Sequence, residues 1–243
     1  MTTAASRVRP SLVRPIVRVP IRSEVRRILL EGMLRGDPAP GSTINESELS
    51  GLLGVSRTPL REALLNLAGE GFLRAAPGKG FFVLPLSAKE VEDLYPIIAS
   101  LERLALRTSP SPSKAEIRRL TEINQELASE RGNWEAALQA DERWHEALVS
   151  RCGNERLLAT IRTLKYHAQR YESAYMRHSG TIIQSVDQHR AILRALRAGE
   201  VESAARLLDA NWKISQDFLL PWLREREAAS PAAKLRTRRK ARS

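Results

Sequence analysis

Between Gly54 and Leu73 the chain reads GVSRTPLREALLNLAGEGFL, and this stretch limits the possible folds more than any other. Leu60, Ala63, Leu64 and Leu67 recur at the helical period and predict one apolar helix face. Pro59 fits the first turn, where no backbone hydrogen bond is lost. Ser56, Arg57, Thr58 and Arg61 crowd the start of this helix, where N–H groups are free. Such a start suits ordinary capping or contact with a negatively charged partner. The flanks favour the second. Upstream, Val25, Ile28, Leu29 and Met33 mark a helix over about 23–34. Asn45 with Glu48 forms a capping box that opens another helix, closed by Gly54. Downstream, FLRAAPGKGFFVLP reads as two short strands around Pro77-Gly78-Lys79-Gly80. Helix, helix, tight turn, helix, hairpin is the order of a winged helix-turn-helix.

In that motif the second helix of the pair enters the major groove of DNA by its N-terminus. Its first turn must therefore carry hydrogen-bonding side chains. Ser56 and Thr58 can cap the helix and reach phosphates. Arg57 and Arg61 lie four residues apart, share a face and present forks suited to guanine O6 and N7 or to phosphates. Lys79, at the hairpin tip, belongs over the adjacent minor groove or backbone. Charge agrees with a polyanion partner. The net charge of +11 divides into +5 over residues 1–86, zero over 87–233 and +6 over 234–243. Residues 1–20, broken by Pro10, Pro15 and Pro20, are expected to form a disordered basic arm, and 226–243 a disordered basic tail.

After Pro85 strand signals disappear. Ser87 with Glu90, and Ser113 with Glu116, predict two more capping boxes. Gly132, Gly153, Gly180 and Gly199 punctuate helices expected at about 88–108, 114–131, 133–151, 154–178, 182–198 and 200–219. The expected fold is mainly α: a winged helix-turn-helix at 21–85, then an all-α bundle of six or so helices at 87–225. No stretch approaches the ~18 apolar residues of a membrane span. The N-terminus lacks the uninterrupted apolar run of a secretory signal, and the single cysteine, Cys152, fits a reducing compartment. The expected location is cytoplasmic, associated with the nucleoid through DNA.

Within the bundle, DERWHEAL places Asp141 and His145 one turn apart on one helix face. A carboxylate and an imidazole at that spacing can share a metal or simply hydrogen-bond. His189 lies beside Ile192 and Leu193, which turns it toward the interior as a core residue or a ligand. His167 and His178 read as surface or interface residues, and Trp134, Trp144, Trp212 and Trp222 as packing. A metal-dependent hydrolase built on Asp141, His145 and His189 is one alternative. It lacks an HExxH motif, a nucleophile–base pair and a phosphate-cradling glycine loop, so the chain is expected not to be an enzyme. A non-specific architectural DNA-binding protein is another, and predicts strong salt dependence with little sequence preference.

The run PGSTINESELSGLLGVSRTPLREALLNLAGEGFLRAAPGKGFFV resembles the DNA-binding domain of GntR-type bacterial transcription regulators, over residues ~23–84. The resemblance implies a homodimer on a palindromic operator. By motif its contacts are Glu46, Ser47, Ser56, Arg57, Thr58, Pro59 and Arg61, with Gly78 and Lys79 in the wing. Residues ~88–222, through LYPIIASLERLAL, DERWHEAL and QHRAILRALRAGEVESAARLL, resemble the FCD ligand-binding domain of the FadR branch. That implies a ligand-responsive regulator, more commonly a repressor. It also implies one divalent metal (zinc, nickel or manganese), held by an aspartate and three histidines, with a small carboxylate effector completing the coordination. Asp141, His145 and His189 match three of those positions, and the fourth falls on Asn211. An amide oxygen is a weaker, harder ligand than imidazole. Ile98 stands where many relatives carry an arginine for the effector carboxylate, leaving Arg162 or Arg170 as substitutes.

Overall fold

The structure is a computed structural model that describes residues 20–130, 132–179 and 185–229. Residues 1–19 of the expected arm and 230–243 of the expected tail lie outside the described residues.

The first unit contains α1 (Ile21–Arg35), β1 (Thr43–Ile44), α2 (Glu46–Leu53), α3 (Arg57–Gly69), β2 (Leu73–Ala76) and β3 (Gly80–Val83). The apolar face expected of α3 is its buried face. Leu60, Ala63, Leu64 and Leu67 pack with Leu29, Met33, Phe72 and Phe81. Asn45 accepts the N–H groups of Ser47 and Glu48, at 3.1 and 3.2 Å, and so caps α2. Ser56 occupies the N-cap position of α3 but makes no side-chain cap hydrogen bond, contrary to expectation. Gly69 remains inside α3, and the left-handed residue that releases the chain is Gly71, at φ 84°. The hairpin gains a third strand that sequence periodicity did not reveal. Thr43 and Ile44 pair with Phe82 and Phe81, giving the order β1-β3-β2. Two residues are too short a run to show alternation.

The second unit contains α4 (Ala88–Thr108), α5 (Lys114–Ser129), α6 (Trp134–Val149), α7 (Glu155–Ser179), α8 (Ser185–Arg197) and α9 (Val201–Ala229). These six helices surround a core of Tyr95, Ile98, Leu120, Trp144, Tyr171 and Leu208. The box at Ser113 closes in both directions. At Ser87 only the hydroxyl half forms, because the Glu90 carboxylate accepts the Tyr171 hydroxyl at 2.6 Å. Helix α9 runs past the expected end near 219. Leu219 and Leu223, one turn apart, are both buried, so the apolar face continues beyond Pro221. Pro221 lacks the N–H that would reach the carbonyl of Asp217, an exposed residue whose carbonyl can turn to water. Residues 226–229 are therefore helix rather than tail.

The two units meet along α7. Arg170 donates to the Leu84 carbonyl at 2.8 Å. The Ser173 hydroxyl donates to the Leu34 carbonyl, and Arg177 to that of Arg35. These last two satisfy carbonyls that the end of α1 leaves open. The His167 ring stacks on Phe72 with centroids 4.3 Å apart. Among the described residues no helix is long and apolar enough to cross a membrane.

Candidate nucleic-acid interface and metal centre

The starts of α2 and α3 form one surface. Ser47, Ser56, Arg57, Thr58, Arg61, Gly78 and Lys79 are exposed, while Glu46 and Pro59 are partly buried. Arg57 Nη2 donates to Ser47 Oγ at 3.0 Å. Arg61 Nη1 donates to both Glu46 carboxylate oxygens at 3.0 Å. Each arginine of α3 is thus tied to the first turn of α2, which restricts its rotamers at little cost in solvent exposure. Gly78, at φ 71°, and Lys79 form the turn of the wing. Arg74 is a further exposed cation on β2, its guanidinium carbon 5.8 Å from the Phe82 ring centroid.

The metal candidates converge inside the helical unit. Ligand atoms of Asp141, His145 and His189 all lie within 4.8 Å of one another. Asp141 Oδ2 is 3.8 Å from His145 Nε2, and its Oδ1 is 3.6 Å from His189 Nε2. Asp141 and His145 come from one face of α6, and His189 from α8. His189 is fully buried, its ring stacked on Trp144 with centroids 3.5 Å apart. The Nδ1 atoms of both histidines face a second set of groups. His145 Nδ1 lies 2.8 Å from Glu102 Oε2. His189 Nδ1 lies 3.1 Å from Asn124 Oδ1, whose amide nitrogen donates to the Val186 carbonyl at 3.0 Å. These contacts turn both Nε2 atoms toward Asp141. Among the described residues, Asp141 Oδ1 and His189 Nε2 are buried without hydrogen-bond partners. Two orphaned buried atoms of ligand type, a carboxylate oxygen and an imidazole nitrogen whose ring is already held through Nδ1, fit a divalent cation.

Asn211, on α9, is buried beside Trp212, whose indole N–H donates to Glu102 Oε2 at 2.7 Å. Lys165 of α7 is buried as well, with Nζ 3.1 Å from Glu142 and 3.5 Å from Glu102. Burial alone would raise the Glu102 carboxyl, but the His145 and Lys165 cations outweigh it and hold it at about 2. Burial opposes charge on His145 and Lys165, and the carboxylates beside them prevail, raising both. Burial raises Asp141. His189 is driven well below the ordinary range by burial, then by the nearby His145 and Lys165, which leaves it neutral as a ligand must be, whereas His145 would release its proton to a bound metal.

Of the two arginines expected to replace the effector arginine, Arg162 is exposed and Arg170 lies at the junction of the two units, donating to the Leu84 carbonyl. Ile98 is fully buried in the apolar core. The cation that reaches the centre is Lys165, which sequence reasoning missed, together with Glu102, Asn124 and Glu172. Each had a legible signal: a polar residue among apolar ones at helical spacing, alone in Tyr95, Ile98, Glu102, Leu106 and alternating in Ile161, Lys165, Ala168, Glu172.

A winged helix-turn-helix clamped to a helical unit with a buried polar centre defines a two-domain DNA-binding regulator. Residues 21–83 match the description "Bacterial regulatory proteins, gntR family", and residues 93–212 match "FCD domain". The chain belongs to the GntR family of bacterial transcription regulators, in its FCD-bearing branch. It is similar to the "Nta operon transcriptional regulator" of Aminobacter aminovorans, at 44% identity over 128 residues, covering 51% of this chain and 60% of that protein. It is also similar to the "Probable D-xylose utilization operon transcriptional repressor" of Paenarthrobacter nicotinovorans, at 28% identity over 196 residues, covering 79% and 86%. Among solved structures, E. coli McbR/YncC shares the fold with a TM-score of 0.73 at 22% identity, covering 84% of this chain and 99% of that one. The chain is accordingly a transcription regulator that binds DNA, and not an enzyme.

Proposed function

We propose that this regulator binds a palindromic operator as a homodimer, acts as a repressor, and releases DNA when a small carboxylate effector enters the helical unit at a divalent metal. The observation that carries the reading is the convergence of Asp141, His145 and His189 on one buried point. Asp141, His145 and His189 would hold the metal, with the Asn211 amide oxygen as the fourth protein ligand. The metal would supply Lewis-acid attraction for a carboxylate. Lys165, buried at the same centre, would orient that anion in place of an arginine. Location in the cytoplasm, on the nucleoid, follows from operator binding.

On DNA, two copies of α3 would occupy successive major grooves, half-sites about one helical turn apart. Arg57 and Arg61 would read base edges, with Ser56 and Thr58 on phosphates; Glu46, Ser47 and Pro59 would fix the docking of α2 against α3, and Gly78 with Lys79 would carry the wing to the adjacent backbone. Effector binding changes operator affinity only through unequal affinity for two arrangements of the units. Helix α7 supports this coupling, since Lys165 and Glu172 face the centre while His167, Arg170, Ser173 and Arg177 hold the DNA-binding unit.

The test is elemental mass spectrometry of protein purified without chelators or an affinity metal, paired with Asp141→Ala. About one zinc, nickel or manganese per chain is expected, lost in the variant, with operator affinity kept and response to carboxylates abolished. Metal-free protein that gains no thermal stability from any of the three ions would refute the metal reading. Loss of operator binding in Asp141→Ala would refute the separation of the two functions.

A further inference from the structure

We infer that a second ligand site, for a small anion with an aromatic or branched apolar body, lies at the junction of the two units and is separate from the metal centre. A cavity of about 1130 Å³ opens there, bounded by the end of α1, the linker after β3, and the C-terminal turns of α7 and α9. Its lining includes none of Asp141, His145, His189 or Asn211. Its floor is apolar: Ala174 and Leu223 are buried, and Leu86, Pro40 and Pro85 complete the walls. An apolar floor edged by polar groups suits an amphipathic small molecule.

The polar edge carries two guanidinium groups, Arg177 and Arg226, and Arg226 shares one ring, Trp222, with His178. The Arg226 guanidinium carbon lies 5.1 Å from the Trp222 ring centroid, and the His178 ring centroid lies 5.9 Å from it. Arg177 lines the same cavity, fixed by its bond to the Arg35 carbonyl. The lining carboxylate, Glu227, already accepts the Ala88 N–H at 2.8 Å at the start of α4. Trp222 Nε1 is buried without a hydrogen-bond partner among the described residues. Flat aromatic bodies stack on such a ring, and guanidinium groups bind carboxylates through charge-assisted, often bidentate bonds. A carboxylate reaching Arg177 would touch the residue that closes the end of α1. Occupancy would therefore favour one orientation of the DNA-binding unit, whatever the metal centre holds.

The experiment uses the full chain with 2-naphthoate as the probe and uncharged 2-acetylnaphthalene as its comparator, both followed by calorimetric titration. The expected result is one naphthoate per chain, bound at least about tenfold more tightly than the comparator. Arg226 is exposed, so Arg226→Gln leaves the fold intact and should weaken naphthoate about tenfold. Ala174→Phe should fill the floor and abolish binding, with circular dichroism confirming that the variant is folded. Asp141→Asn should bind naphthoate like the unaltered chain. No naphthoate binding, equal affinity for the uncharged comparator, or indifference to Arg226→Gln would overturn the site. Loss of binding in Asp141→Asn would overturn it too, by placing the anion at the metal centre.

Discussion

Replacing Glu172 with glutamine separates the helical unit's stability from its charge. Glu172 is buried on α7, and its Oε1 accepts the Tyr95 hydroxyl at 3.1 Å. Burial, then the Asp141 and Glu142 carboxylates, push its carboxyl from 4.5 up to about 7, against the pull of Lys165 and the Tyr95 hydrogen bond. The sign follows from proton counts. Below the unfolded value both states are protonated and the group contributes nothing. Between the two values the folded state holds the extra proton, so stability falls as pH rises. Above the folded value the full penalty applies. A shift of this size corresponds to roughly 3 kcal/mol, at about 1.4 kcal/mol per pKa unit. Glutamine keeps an acceptor for Tyr95 and carries no charge. Glu172→Gln should match the unaltered chain near pH 4 and exceed it by up to ~3 kcal/mol near pH 8, about 6–12 °C in melting temperature for a protein of this size. Chelator-treated protein is required, because a cation beside Asp141 would lower the Glu172 value. Tryptophan fluorescence is the readout, since Trp134, Trp144, Trp212 and Trp222 all belong to the helical unit. The difference between variant and unaltered chain cancels carboxyls common to both. A difference that stays constant from about pH 4 to pH 8 would refute a neutral Glu172 in the folded core.

Three further outcomes follow from named contacts. Arg57→Ala and Arg61→Ala should each relax operator discrimination and cost about 1–3 kcal/mol of specific affinity, measured by fluorescence anisotropy on operator and scrambled duplexes; unchanged binding in both would exclude the docking of α3. Asn124→Ala removes the acceptor facing His189 Nδ1 and should lower metal affinity about 10–100-fold, read by competition with a chelator, while operator affinity holds. Leu64→Ala opens a void in the fully buried core of the DNA-binding unit and should destabilise it by about 2–5 kcal/mol in urea unfolding followed by circular dichroism; a cost well under 1 kcal/mol would mean that the core collapses around the void.

Much of the architecture was legible because local rules and burial agreed. The period of Leu60, Ala63, Leu64 and Leu67 is the buried face of α3, and the glycines at 54, 71 and 199 sit at positive φ where helices end. What was not legible depended on partners distant in sequence. Glu90 abandons its capping box because Tyr171, on α7, supplies a better donor. Pro221 does not stop α9 because burial of Leu219 and Leu223 outweighs one missing N–H. For the centre, Asp141 and His145 were readable from their spacing, and His189 from its apolar neighbours. Glu102, Asn124 and Lys165 were not assigned, although each interrupts an apolar stripe. A buried charge in such a stripe must find a partner on another helix, and the sequence alone does not say which.

The placement of these interrupted stripes explains why one helix can serve both halves of the molecule. On α7, Ile161, Lys165, Ala168 and Glu172 are buried, at helical spacing that runs them along one side. His167, Arg170, Ser173 and Arg177 recur three or four residues apart on another side and reach Phe72, Leu84, Leu34 and Arg35. Three of these four contacts end on backbone carbonyls, which side-chain substitution in the DNA-binding unit leaves in place. These three contacts thus depend on the position of α1 and of the linker rather than on their side chains, while Phe72 against His167 and Arg35 with Glu135 add side-chain contacts. A rotation of α7 that satisfied Lys165 or Glu172 differently would displace all four contacts together. Helical geometry thus gives the polar centre a route to the orientation of the DNA-binding unit, one that acts only when α7 itself moves.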